Sequence, residues 1–161
     1  KSDAEEVLDA VEGPRALAVE NARRKALTVA ARYPGRVVLG ADTVVFQDGA
    51  VYGKPKDAED ARSMLKSFAG RRHDVVTGVA IIAKDGTCYT DAAETNVFFA
   101  DLTDDEIAAY IATGEPMDKA GAYAVQGRAA AFIPRIEGSF SNVVGLPLAE
   151  VASLLKEAGV R

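Results

Sequence analysis

An aspartate set in the middle of an apolar strand constrains this chain more than any other feature. The stretch Val37 to Asp57 reads VVLGADTVVFQDGAVYGKPKD. Its opening run, Val37-Val38-Leu39, is too short for a free-standing helix and suits a buried strand. The apolar run resumes at Val44, Val45 and Phe46 once Asp42 and Thr43 have interrupted it. Asp48-Gly49 is a strong hairpin signal, because a two-residue turn of this kind needs positive φ at both central positions. The return strand, Ala50-Val51-Tyr52, brings Gly53-Lys54-Pro55-Lys56 back towards the level of Asp42. A carboxylate inside a buried strand is costly unless it is paired or binds a cation. What Asp42 faces is therefore the central question.

The remaining elements follow from periodicity and punctuation. Gly13-Pro14 opens a helix with proline in a harmless first-turn position. Val19, Ala22, Ala26, Val29, Ala30 and Tyr33 form its apolar stripe, Lys25 lies at the stripe's edge, and Pro34-Gly35 ends it. A second helix runs from about Ala58 to Ala69, with Asp57 as N-cap and Ala61, Met64, Leu65 and Phe68 as the inner face. Strands follow from His73 to Ala83 and from Thr87 to Ala100, turned by Asp85-Gly86. Thr103 and Glu106 make a capping box ahead of a short helix that Gly114 terminates. Short strands are expected at Ala122 to Gln126 and Ala129 to Ile136. A polar turn is expected at Gly138 to Asn142, and a last helix with Leu148, Val151, Leu154 and Leu155 inside. Helices interleaved with strands and hairpins indicate α/β with a mixed sheet.

The 161 residues make one domain by size, with 48% hydrophobic and 27% charged residues. A net charge of −5 argues against nucleic acid or an anionic membrane as the main partner. No apolar run approaches the roughly 20 residues that span a bilayer. The one cysteine, Cys88, rules out an internal disulfide, suits a reducing compartment and reads as a small buried hydrophobe. A cytoplasmic location is the expectation. The single histidine, His73, has no partner at metal-ligand spacing and reads as a satisfied residue at a sheet edge.

The residues left for chemistry are Asp42, Lys54, Asp118 and Lys119, with Lys25 on a helix edge. No Ser-His-Asp or Cys-His set, no phosphate-binding G-x-x-x-x-G-K-[ST] loop and no dinucleotide fingerprint is present. Carboxylates without histidine or cysteine suit a hard cation such as Mg²⁺ or Mn²⁺. Lysines around such a cation suit a polyphosphate, whose oxygens both would neutralise. Surface ion pairs worth about 0–1 kcal/mol each are the alternative from spacing alone.

The same residues fall in blocks that closely resemble the Maf family of nucleoside triphosphate pyrophosphatases. The blocks are LGADTVV (Leu39 to Val45), GKPKD (Gly53 to Asp57), GRRHDVVTGV (Gly70 to Val79), GEPMDKAGAYAVQG (Gly114 to Gly127) and NVVGLPL (Asn142 to Leu148), in order over nearly the whole chain. The resemblance implies an elongated mixed sheet with flanking helices and a central cleft, similar to the inosine-triphosphate pyrophosphatase fold. It implies cleavage between the α and β phosphates to a nucleoside monophosphate and pyrophosphate, with a divalent metal, Mg²⁺ or Mn²⁺, as cofactor. By position, Asp42 matches the family's proton acceptor, and Lys25 and Lys54 match its phosphate-contacting lysines. Asp118 and Lys119 match a recurring pair near the phosphates. Thr43 and Gln126 match positions tied to base selectivity and resemble the dTTP and UTP branch. Metal ligation is implied for Asp42 and for Glu6, with Glu5 in reserve.

Family members begin with a strand and a Ser-x-Ser-Pro-Arg-Arg loop that has no counterpart in residues 1–161. The chain is therefore expected to be a single Maf-like domain, N-terminally incomplete, without part of the pocket and one strand. The expected activity is house-cleaning hydrolysis of pyrimidine triphosphates, and a homodimer is implied. The alternative is a nucleotide-binding regulator of cell division without turnover.

Overall fold

The computed structural model of the protein describes residues 2–4 and 13–160. Helix α1 spans Pro14–Ala30, β1 Val38–Gln47, β2 Ala50–Tyr52, α2 Ala58–Phe68, β3 Arg72–Ile82 and β4 Cys88–Phe98. Helix α3 (Asp104–Ala112), three short 3-10 turns, β5 (Arg135–Glu137), α4 (Phe140–Val144) and α5 (Leu148–Glu157) complete the chain. The strands form a five-stranded sheet in the order β2-β1-β3-β4-β5. No helix among the described residues is long and apolar enough to cross a membrane.

The α/β class and the flanking helices are as the sequence led us to expect. Strand directions differ from the expected mixture. β1 pairs antiparallel with β2, and β4 with β5. Asn96 against Asp74, and the Phe99 amide on the Arg71 carbonyl, show β3 and β4 running oppositely. Thr43 opposite Thr77, and Gln47 Nε2 on the Arg72 carbonyl, show the same for β1 and β3. For β1 and β2 the cause lies in the turn. Asp48 and Gly49 adopt φ values of 52° and 85°, the doubly positive turn that reverses a chain without a crossover.

The chain divides into two compact units, one of Lys1–Thr43, Val76–Glu94 and Ser141–Arg161, the other of Val44–Val75 and Thr95–Phe140. In the first unit β3 is buried on both faces. Ala80 and Ile82 pack with Ala22 and Ala26 of α1, whereas Val79 and Ile81 pack with Val151 and Leu154 of α5. That alternation is the period-two geometry of a strand between two helical layers. In the second unit Phe68 at the end of α2 meets Tyr52, His73, Phe99 and Tyr123 in an aromatic cluster. Ala61, Met64, Leu65 and Phe68 are all buried, as the helical spacing predicts.

Several local expectations change. Leu39 is exposed and Val38 only half-buried, so β1 enters the fold along a face that the described residues do not fully cover. Cys88 is exposed because it starts β4 directly after the turn. His73 is a core residue at 1% exposure, not a sheet-edge one. Ala122 to Gln126 and most of Ala129 to Ile136 are 3-10 turns and loop, not strands. Gly121 and Ala122 sit at φ 70° and 60°, a conformation that a strand cannot use. Phe140–Val144 is a short helix where a turn was expected, and Leu148 points outward at 59% exposure.

Candidate active site

The first unit answers what Asp42 faces. Strand alternation turns Val38, Gly40 and Asp42 towards α1, and Ala41 and Thr43 to the opposite face. On α1, Asn21 and Lys25 are four residues apart and so lie one above the other. Lys25 Nζ donates to Asp42 Oδ1 at 2.5 Å, and Asn21 Nδ2 donates to Asp42 Oδ2 at 3.3 Å. The Asp42 side chain is 8% exposed and that of Lys25 24%. A carboxylate this buried is tolerated because a cation and an amide meet both its oxygens. The helix reaches it through two glycines. A Cβ on Gly40 would stand 2.5 Å from the Ala22 carbonyl oxygen, and one on Gly78 would stand 2.3 Å from the Ala18 carbonyl carbon.

Thr43 does not share that face. Thr77 donates to the Asn142 carbonyl at 3.0 Å, so its one hydroxyl proton is used. The 2.9 Å contact between Thr43 and Thr77 then has Thr43 as donor, which leaves the Thr43 oxygen free to accept from another group.

The second unit holds the other candidates. Lys54 is exposed in the loop between β2 and α2. That loop is tied to the one carrying Lys119 by the Gly121 amide, which donates to the Gly53 carbonyl at 3.0 Å. Lys119 Nζ donates to Asp118 Oδ1 at 2.6 Å. The hydrogen bond and charge of Lys119, and more weakly the Lys54 charge, hold the Asp118 carboxyl below its ordinary range. Gln126 is exposed on the turn that follows. Asp42, Lys25 and Thr43 thus belong to one unit, and Lys54, Asp118, Lys119 and Gln126 to the other. Glu6 and Glu5 lie outside the described residues.

A family profile described as Maf-like protein matches residues 1–158. This chain belongs to the Maf family. A Maf-family relative from Geotalea uraniireducens, named dTTP/UTP pyrophosphatase, is 52% identical over 159 residues, covering 98% of this chain and 81% of its own length. A protein of the same name from Geobacter metallireducens is 53% identical over 150 residues, covering 92% and 78%. Another, from Geobacillus sp., is 54% identical over 138 residues, covering 86% and 74%.

Within this Maf-family site, sequence reasoning missed Asn21 and the Thr77–Asn142 pair. Asn21 was legible as the residue one helical turn before Lys25. Thr77 and Asn142 are fully buried polar residues whose partners are 65 positions apart, and no local pattern carries that pairing. Among the described residues no three His, Cys, Asp or Glu side chains gather as a metal cage. The donor chemistry still fits Mg²⁺ or Mn²⁺. Asp42 offers hard carboxylate oxygens, and such ions are commonly held by one or two carboxylates together with substrate phosphates.

Proposed function

We propose that this protein hydrolyses dTTP and UTP to the nucleoside monophosphate and pyrophosphate, as a house-cleaning activity. The observation that carries the reading is the buried Asp42 carboxylate with Lys25 at 2.5 Å. It sits in a chain 52% identical to a protein named dTTP/UTP pyrophosphatase. Those relatives are named for hydrolysis, which favours turnover over a binding regulator.

Asp42 accepts a proton from the attacking water as its oxygen bonds to the α-phosphorus. The bond from that phosphorus to the bridging oxygen breaks, and its electrons leave with pyrophosphate. Lys25 and Asn21 fix the carboxylate so that no reorganisation is needed at that moment. Lys54 and Lys119 neutralise the charge growing on the leaving group, with Asp118 orienting Lys119. Thr43, as an acceptor, and Gln126, as donor and acceptor, read the pyrimidine edge. A divalent cation, Mg²⁺ or Mn²⁺, held by Asp42 and Glu6 would supply further charge neutralisation at the phosphoryl oxygens. We also infer a cytoplasmic location, with which an exposed free cysteine is compatible, and a homodimer.

The test is incubation with dTTP, UTP, CTP and 7-methyl-GTP, with Mg²⁺ or Mn²⁺ and with a chelator. Pyrophosphate is expected from dTTP and UTP, and loss of turnover with the chelator. Release of inorganic phosphate in its place rejects the mechanism.

A further inference from the structure

We propose that Glu115 and Tyr110 are positioning residues for base selectivity, holding the turn that carries Gln126. This rests on the reading of Gln126 as a contact to the base.

The turn is clamped on both sides of Gln126 by one side-chain pair. Glu115 Oε2 accepts from the Arg128 amide at 3.1 Å, two residues after it. The Tyr110 hydroxyl accepts from the Ala124 amide at 3.2 Å, two residues before it. The clamp is closed by the same hydroxyl donating to Glu115 Oε1 at 2.8 Å. Gly127, next to Gln126, has no room for a side chain: a Cβ there would stand 2.3 Å from Glu115 Oε1. The carboxylate thus occupies the space beside the turn.

Both clamp residues are anchored. Tyr110 is 3% exposed on α3 and packs edge-on against Phe132, with ring centroids 5.4 Å apart. Burial would raise the Glu115 carboxyl. The Arg128 amide, the Tyr110 hydroxyl and the Ala129 amide outweigh that effect, so the group stays charged and accepting. Burial, then the Glu115 carboxylate, raises the Tyr110 phenol, which keeps its proton for the clamp. Glu115 also begins the 3-10 turn Glu115–Asp118 that leads into Lys119. One carboxylate therefore couples the segment proposed to meet phosphate with the segment proposed to meet the base. Exposed loops this small are otherwise free to sample many conformations, and a reading side chain on such a loop discriminates poorly.

The experiment compares kcat/KM for UTP and CTP, which differ at the pyrimidine edge. It uses the full chain and its Gln126→Ala, Glu115→Gln, Tyr110→Phe and Glu115→Gln/Gln126→Ala variants, each with a melting curve. The UTP preference is expected to fall about tenfold in Glu115→Gln and in Tyr110→Phe, about the loss of one good hydrogen bond. The double variant is expected to lose no more preference than Gln126→Ala alone, because the two act through one contact. Preference lost in Gln126→Ala but kept in both clamp variants overturns this inference and leaves the proposed function standing. Preference kept in Gln126→Ala overturns the base-reading role and this inference with it. A uniform loss for both substrates, with the ratio intact, means a merely structural role and also overturns it. Should Glu115→Gln fail to fold, Tyr110→Phe decides, since it removes one oxygen and leaves the ring packing in place.

Discussion

The backbone of Ala18 on α1 occupies the place where a side chain on Gly78 of β3 would begin, 2.3 Å from an ideal Cβ. That approach sets the height of α1 above the sheet, and with it the reach of Asn21 and Lys25 to Asp42. Gly78→Ala is expected to cost about 1–3 kcal/mol, the usual range for overpacking. For a chain of this size each kcal/mol lowers Tm by about 2–4 °C. Turnover of dTTP at a temperature where the variant is fully folded is expected to fall as well, because the helix must move to admit the methyl group. Wild-type Tm and turnover together would contradict this packing.

Lys25 and Asp42 form a cycle whose stability and activity arms separate. Asp42→Asn is expected to lower kcat by about 10²–10⁴, the range for loss of a general base. Its fold is expected to persist, since Lys25, a quarter exposed, can turn its ammonium to water. Lys25→Met removes the ammonium that stands 2.5 Å from the buried carboxylate and is expected to destabilise by about 3 kcal/mol or more. The double variant should recover much of that stability and none of the turnover. Urea unfolding of the four proteins, beside pyrophosphate release, checks both arms.

His73 makes the protein acid-sensitive at a mild pH. Burial among Phe68, Phe99 and Tyr123 pushes its pKa down to about 3. Its Nε2 meets the Tyr123 hydroxyl at 2.8 Å. The unfolded chain binds a proton at this site below about pH 6.5, whereas the folded protein does not until far lower pH. The contribution is complete above that value and is lost as pH falls, by about 2 kcal/mol at pH 5. Ordinary carboxylates titrate near pH 4 and add little in this window. Urea midpoints at pH 7 and pH 5 should differ in the wild type and converge in His73→Gln, the chain having no other histidine.

Thr103 accepts from the Glu106 amide at 3.2 Å and Glu106 accepts from the Thr103 amide at 2.8 Å, a closed capping box on α3. Thr103→Ala is expected to cost about 1 kcal/mol. Because α3 carries Tyr110, hydrogen exchange should quicken along Asp104–Ala112 ahead of the rest of the protein. Unchanged exchange there would remove the cap's role.

Local chemistry was legible wherever neighbours in sequence are neighbours in space. The Asp48-Gly49 hairpin, the Asp57 cap, the Thr103 capping box and the α2 face all rest on contacts within a few residues. The block 114–127 was legible as functional but not as structure. Ala122 to Gln126 read as strand, yet Ala122 takes a left-handed backbone, φ 60°, that a strand cannot use. Cys88 and Leu39 misled for a related reason: apolar character says that burial is favourable, not that a partner surface exists at that spot.

The amino-acid order alone determined that Asp42 would interrupt an apolar strand, and that lysines and no histidine pair would be left for chemistry. Only the folded chain decided which lysine meets it, and that Asp42 and Thr43 leave β1 on opposite faces. The reason is distance along the chain. Lys25 and Asp42 are 17 residues apart and Thr77 and Asn142 are 65 apart. Such pairs form because helices and strands pack at a height set by glycine and alanine, a quantity that exists only once the layers are together.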